Sequence, residues 1–209
     1  MATAATPDQR AYHGVASSSR GPGSGCLIRR DNVNLWRVPE EDRVEGDIHI
    51  FSRSGGGVRS HLFATVEGTA VEMPLPSGPA TGTIEAVESG EHARVGADLT
   101  TPEETTALVM TARQGSEGRA VSWRVLASAG WLDGATAIET PGLDVVDGWN
   151  DDWSLAGGDE VEILAYAMTS SEGVAPLVFQ EQHDTAVFTA DHDGLHILRY
   201  AGVSDEISP

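Results

Sequence analysis

Apolar residues in this sequence recur with a period of two, in short segments separated by turn-forming residues. Between Asp47 and Arg53, the apolar Ile48 and Ile50 alternate with the polar His49. Such alternation is typical of a β-strand that has one buried face. The chain also carries 24 glycines and 10 prolines in 209 residues, which favours many short elements joined by turns. The pattern predicts an all-β fold with little or no helix.

The same alternation predicts strands in both halves of the chain. They cover residues 47–53, 58–66, 69–75, 105–113, 120–128, 160–168, 174–180, 185–189 and 195–200. Residues 67–68 separate the second strand from the third, which is the spacing of a two-residue hairpin. Residues 100–107 predict a single capped helical turn, because a threonine precedes Pro102 there.

The sequence contains an internal repeat at an offset of 116 residues. Residues 52–78 and 168–194 share 8 identities in 27 aligned positions. Gly57 aligns with Gly173, and Gly78 with Gly194, at turn positions that often require a positive φ. We interpret the repeat as a tandem duplication of an antiparallel β-sandwich of jelly-roll or immunoglobulin-like type.

The repeat predicts three consecutive segments. Residues 1–25 form a flexible basic leader rich in glycine and serine, residues 26–126 the first sandwich, and residues 127–209 the second. Residues 94–126 have no counterpart in the second copy. Either the second copy has lost its last strands, or this segment bridges the two halves.

Two of the five tryptophans occupy equivalent places in the repeat. Trp36 and Trp153 each precede an Asp-x-Val-Glu strand, and we expect them to anchor the sandwich core. Trp123, Trp131 and Trp149 have no partner in the other copy. Whether one of these three is exposed at an interface is left open by the pattern.

Composition excludes several classes of function. The formal net charge is −19, which argues against direct nucleic-acid binding, and no lysine is present, which excludes a P-loop lysine or a lysine Schiff base. The single cysteine, Cys26, cannot form an internal disulfide. The apolar runs are too short to span a membrane. We expect a cytoplasmic protein, or one assembled in the cytoplasm into a virion or other particle.

Carboxylates cluster between residues 144 and 162. The candidate partner-binding residues are Asp144, Asp147, Asp151, Asp152, Asp159 and Glu160, with Glu162 close by. The spacing lacks the glycine and closing glutamate of an EF-hand, so no calcium site is predicted. The cluster is either ordinary solvated surface or a negatively charged face that attracts a basic partner.

No residue pattern points to catalysis or to a bound cofactor. His183, His192 and His196, with aspartates nearby, are ligand types suited to a transition metal, but their positions favour surface turns. Ser24 lies between glycines without the pattern of a nucleophile elbow, and no motif places a histidine beside Cys26. The sequence therefore predicts a non-enzyme with no catalytic, cofactor or metal residues.

Residues 161–202, VEILAYAMTSSEGVAPLVFQEQHDTAVFTADHDGLHILRYAG, resemble the C-terminal part of ComJ-like proteins. In the first copy, residues 73–78 (Met-Pro-Leu-Pro-Ser-Gly) are similar to that family's Leu-Pro-x-Gly turn, whereas the second copy has Asp191-His192-Asp193 before its glycine. The resemblance implies a small β-sandwich and an activity like that of the type member, which inhibits a nuclease in the manner of an immunity protein.

These observations lead to two functional expectations. The first is an acidic protein-binding module of immunity or inhibitor type, which covers a basic surface on a toxin or nuclease. The second is a structural subunit of a phage particle or related assembly, such as a decoration, tail or baseplate protein, whose partners are its neighbouring subunits. Neither requires nucleic-acid or membrane contact.

Overall fold

The structure, a computed structural model, describes residues 10–16, 27–31, 48–55, 57–64, 80–89, 92–116, 119–142, 146–177 and 194–209. Its elements in chain order are β1 (Arg10–Ala16), β2 (Leu27–Asp31), β3 (Ile48–Gly55), β4 (Val58–Ala64), β5 (Thr81–Glu88), β6 (Arg94–Thr100), β7 (Ala107–Ser116), β8 (Arg119–Ser128), α1 (Ala129–Leu132), β9 (Ala137–Glu139), a 3₁₀ turn (Asp151–Trp153), β10 (Val161–Ser170), β11 (His196–Tyr200) and β12 (Val203–Ile207). The protein is therefore almost entirely β-structure, as the alternating pattern predicts.

The chain divides into two compact units that interleave along the sequence. Unit 1 contains Met1–Pro79 and Thr169–Tyr200, and unit 2 contains Ala80–Met168 and Ala201–Pro209. The predicted boundary between residues 126 and 127 lies inside β8. Within the predicted leader 1–25, Arg10–Ala16 is described and forms β1. The segments 26–126 and 127–209 remain a prediction about the repeat.

Unit 1 contains an antiparallel sheet in the order β2-β1-β3-β4-β11. Strands β3 and β4 form a tight hairpin in which Gly55 pairs with Val58, and Gly57 in the turn has a φ of 78°. That backbone conformation is accessible to glycine without strain. The side chains of Phe51, Val58 and Ile197 are buried in this unit.

Unit 2 is a two-layered antiparallel sandwich. One layer has the order β12-β10-β7-β8 and the other the order β5-β6-β9. Strand β9 lies beside β7 and β8, and β5 lies beside β12. The layers bury a continuous apolar core. Its members include Val95, Leu99, Leu108, Met110, Leu155 and Ile163.

The repeat-equivalent glycines Gly57 and Gly173 have similar φ angles of 78° and 80°, but the segments that follow them differ. Gly173 and Gly194 have positive φ angles of 80° and 83°, as predicted, while Gly78 lies outside the described residues. The strand predicted at 174–180 is wrong over residues 175–177, which are helical. Pro176 lacks the N–H that a strand interior needs, and Leu177 donates its N–H to the Val174 carbonyl at 3.0 Å.

Most of the other strand predictions match described strands. Residues 47–53, 58–66, 105–113, 120–128, 160–168 and 195–200 correspond to β3, β4, β7, β8, β10 and β11. The strands predicted at 69–75 and 185–189 lie outside the described residues. Across the part of the chain that the structure describes, no helix has the length and apolar character needed to cross a bilayer.

Candidate functional site

The predicted partner-binding carboxylates lie mostly on one loop of unit 2, between β9 and β10. We call residues 147–160 the acidic segment. Its five candidate residues are all exposed: Asp147, Asp151, Asp152, Asp159 and Glu160. Asp144 lies outside the described residues, and Glu162 is exposed on β10. No basic side chain occurs within the acidic segment, so its charge is uniformly negative.

The 3₁₀ turn in the middle of this segment is fixed by a local cap. The Asn150 side-chain oxygen accepts a hydrogen bond from the Asp152 N–H at 3.0 Å, and the Asn150 carbonyl accepts one from the Trp153 N–H at 2.9 Å. Asparagine is favoured at such N-caps because its short side chain reaches the first unsatisfied backbone donors. The cap therefore holds Asp151 and Asp152 side by side at the surface.

A buried glutamine ties the end of the acidic segment to the sheet. Gln114 of β7 donates to the Ala156 carbonyl at 2.7 Å and more weakly to the Asp159 carbonyl at 3.4 Å. Its side-chain oxygen accepts from the Ala156 N–H at 2.8 Å. One side chain thus both donates to and accepts from the backbone of the acidic segment.

Three tryptophans pack together beside this segment. The rings of Trp123 and Trp149 are stacked with centroids 5.7 Å apart, and Trp153 meets Trp149 edge-on at 5.5 Å. The Trp123 indole N–H donates to the Trp153 carbonyl at 2.8 Å, and that of Trp149 donates to the Ser154 hydroxyl at 3.0 Å. The expectation that Trp153 anchors the core is wrong, because 54% of its surface is exposed. Trp36 lies outside the described residues.

These rings form one wall of an open groove of about 290 Å³, which we call the tryptophan groove. Its lining residues are Ala120, Val121, Ser122, Trp123, Trp149, Asp152 and Trp153. The groove combines aromatic faces with the carboxylate of Asp152. The duplicated tryptophan and the acidic cluster are both visible in the sequence. Their proximity to Trp123, 30 residues upstream on β8, is a product of the tertiary fold.

A serine, a histidine and an aspartate also meet behind this groove. His92 Nδ1 lies 3.0 Å from the Ser154 Oγ, and His92 Nε2 lies 3.7 Å from an Asp151 carboxylate oxygen. Ser154 is only 7% exposed and already accepts the Trp149 N–H. The adjoining cavity, lined in part by His92, Thr140 and Ser154, has a volume of about 20 Å³. The contacts of His92 therefore tie Asp151 and Ser154 of the acidic segment to the residue that precedes Ala93 and β6.

A second open groove lies on unit 2 around Trp131, which is 78% exposed. Its volume is about 480 Å³, and we call it the Trp131 groove. The lining residues are Glu85, Val87, Gly96, Ala97, Val125, Trp131, Leu132, Ala135, Ala137, Ile138 and Glu139. Of the three tryptophans left unassigned by the repeat, Trp131 is therefore the exposed one. Asp133 in a left-handed conformation ends the short helix α1 that carries it.

Histidines in unit 1 pair with serines on neighbouring strands. Ser52 Oγ lies 2.7 Å from His61 Nδ1, and Ser60 Oγ lies 2.7 Å from His196 Nε2. Burial, reinforced by Arg59 and Arg199, lowers the pKa of His61 to about 4, and burial also lowers the pKa of His196. Both imidazoles are thus neutral near pH 7.

Of the three histidines considered as metal ligands, His183, His192 and His196, the structure describes only His196. His196 contacts Ser60, whereas His183 and His192 lie outside the described residues. Within the described ranges, no group of three or more His, Cys, Asp or Glu side chains is arranged to hold a metal ion.

No protein-family model matches this chain, and no curated protein matches it. Among solved structures, the chicken CNTN1 FN1-FN3 domains align with 96% of this chain and 55% of that chain, at 10% sequence identity and a TM-score of 0.29. The chain thus spans about half the length of that structure.

Proposed function

We propose that this protein binds another protein without catalysing a reaction, and that its partner presents a basic surface. The observation that carries the proposal is the acidic segment. Asp147, Asp151, Asp152, Asp159 and Glu160 are all exposed there with no basic residue among them. Such a surface raises the rate of encounter with a positively charged partner. Added salt weakens this electrostatic attraction.

The acidic segment is held in place before any partner arrives. Asn150 caps its 3₁₀ turn, Gln114 anchors its later part, and the Gly158 N–H donates to the Pro209 carbonyl at 2.7 Å. A preorganised loop loses less conformational entropy on binding than a mobile one. These restraints support a docking role for the segment over that of an ordinary solvated loop.

The specific form we propose is an immunity or inhibitor protein that covers the basic surface of a toxin or nuclease in the cytoplasm. The resemblance of residues 161–202 to ComJ-like proteins supports this form. In such a role, affinity and specificity reside in the surface, and no catalytic group is needed.

The second candidate is a structural subunit of a phage particle or related assembly. The Trp131 groove favours it, because a subunit requires an apolar contact face in addition to any charged one. Trp131 and Val87 are both exposed large hydrophobic residues on this surface.

A capture experiment in host lysate distinguishes the two candidates. The wild-type protein is compared with an Asp147→Arg, Asp159→Arg and Glu160→Arg variant at low and moderate salt, with sedimentation of the lysate alongside. The inhibitor role predicts a single basic partner that is lost on charge reversal and as salt rises. Recovery in a megadalton fraction with particle proteins would instead support the structural subunit.

The matched control reverses two exposed carboxylates elsewhere on unit 2. Glu103 and Glu104 lie in the turn between β6 and β7, and replacing both by arginine changes net charge without touching the acidic segment. Retention of the partner by this control, together with its loss from the triple variant, assigns binding to the acidic segment. Equal capture by all three proteins would contradict the proposal.

A further inference from the structure

The tryptophan groove presents an exposed aromatic ring beside the acidic segment. Trp153 is a large aromatic residue that leaves 54% of its surface exposed. Its ring lies nearly perpendicular to that of Trp149, at an interplanar angle of 86° and a centroid distance of 5.5 Å, so the two rings do not stack face to face. Exposed aromatic faces that border a concave site are a common anchor for ligands and partner side chains.

The rings that form the wall are rigidly placed. Trp149 stacks on Trp123 and packs perpendicular to Trp153, and the indole N–H groups of Trp123 and Trp149 are both used in hydrogen bonds within unit 2. The groove is therefore preformed. Two of its N–H donors are also already committed, which limits the hydrogen bonds it offers to a ligand.

The chemistry of the lining favours a cation over a neutral sugar. Among the lining residues, the polar side chains other than the indoles are Asp152 and Ser122, and none is basic. A sugar presents hydroxyl groups that need both donors and acceptors, whereas this lining offers aromatic faces and the carboxylate of Asp152. Aromatic faces attract cations, and a net charge of −19 adds to that attraction.

We infer that the tryptophan groove binds the guanidinium group of an arginine side chain on a partner protein. The planar guanidinium stacks on the Trp153 face and donates hydrogen bonds to the Asp152 carboxylate, a combination that suits arginine better than lysine. The inference rests on the proposed function, since it names the side chain by which a basic partner would be anchored.

The test is a titration with N-acetyl-triarginine amide, using N-acetyl-tricitrulline amide as a neutral analogue of the same shape. Indole N–H resonances in ¹⁵N-labelled protein report which tryptophan responds. We expect Trp153 to shift with triarginine and not with tricitrulline. Trp153→Ala should weaken binding roughly 2- to 30-fold, and Asp152→Asn should weaken it in the same direction.

Trp131→Ala is the matched control, because Trp131 is an exposed tryptophan of another groove on the same unit. It should leave triarginine affinity unchanged. Equal responses to triarginine and tricitrulline, equal affinity in Trp153→Ala, or a Trp153 shift with neutral maltohexaose but not with triarginine would each overturn the inference. The wild-type titration decides the matter even if a variant fails to fold.

The triarginine titration and the capture from lysate can give opposite results, so the arginine site and the proposed function are tested independently. Capture of a basic partner that depends on Asp147, Asp159 and Glu160 but not on Trp153 would retain the function and reject the arginine site. Binding of triarginine at Trp153 without any basic partner in the lysate would retain the site and reject the function.

Discussion

His61 lies on β4 directly opposite Ser52 of β3, in a position that disfavours the charged imidazole. Burial is the main cause, and Arg59, Arg199 and His196 add to it, so the pKa falls from 6.5 to about 4. The unfolded chain takes up a proton near pH 6.5, while the folded unit resists it until about pH 4. Stability is therefore complete above pH 6.5 and is lost as pH falls towards 4.

This linkage predicts that unit 1 loses up to roughly 3 kcal/mol of stability between pH 7 and pH 4 on account of His61. His61→Gln should remove most of that dependence. The measurement is hydrogen exchange of β4 amides at pH 7 and pH 5, corrected for the intrinsic exchange rate. Protection of β4 that drops equally in the wild type and the variant would show that another group is responsible.

Gly202 occupies a position where only glycine fits. A Cβ there would overlap the carbonyl oxygen of Ala165 and crowd the Cα of Tyr166. We expect Gly202→Ala to destabilise unit 2 by about 2–4 kcal/mol. Gly115→Ala is the control, because no heavy atom lies within 4 Å of its added Cβ. Urea unfolding followed by tryptophan fluorescence reports mainly on unit 2, which contains four of the five tryptophans. Equal midpoints for the two variants would contradict the expectation.

At the scale of elements, strands were predictable from sequence where one face is buried. Strand β10 alternates buried and exposed residues over its first half, and the pattern locates it. Strand β5 is exposed on nearly every residue of both faces, so it carries no apolar stripe to detect. Strand β9 has three residues, and β12 is apolar only at its two ends. These strands are fixed by pairing with neighbours, which periodicity does not record.

The candidate site, too, could be predicted from the sequence only in part. The carboxylates of the acidic segment are visible in the sequence because they are consecutive or nearly so. Trp153 was assigned to the core by the repeat, but the capped 3₁₀ turn places it at the surface. The contribution of Gln114, 42 residues before the loop that it holds, left no local signal.

The hydrogen bonds of Gln114 link β7 to the acidic segment, so we expect a change at this residue to alter the stability of both. Gln114→Met keeps the length of the side chain but leaves the Ala156 N–H and carbonyl without their partner. We expect a loss of about 1–3 kcal/mol from unit 2 and faster amide exchange across residues 154–160. Arg113→Met, at the exposed neighbouring position on β7, is the control. Unchanged exchange in the Gln114 variant would show that other contacts hold the segment.

At the scale of the whole molecule, each compact unit is assembled from two separate stretches of the chain. Unit 2 is completed by the last nine residues, since β12 pairs with Val161–Ala165 of β10 and Pro209 accepts the Gly158 N–H. Deleting residues 201–209 should therefore destabilise unit 2 and loosen the acidic segment. Amide exchange of β7 and β10 should rise, while β3 retains its protection. Unchanged β10 exchange would contradict this account of unit 2.

The acidic segment is proposed to attract a basic partner through its charge. The most direct test of this claim is the association rate with the captured partner, measured from low to moderate salt for the wild type, the triple charge-reversal variant and the Glu103→Arg, Glu104→Arg control. We expect the wild-type association rate to fall steeply as salt is added. The control should retain most of that rate, and the triple variant should lose it. A rate that is independent of salt, or equally reduced in both variants, would contradict the claim.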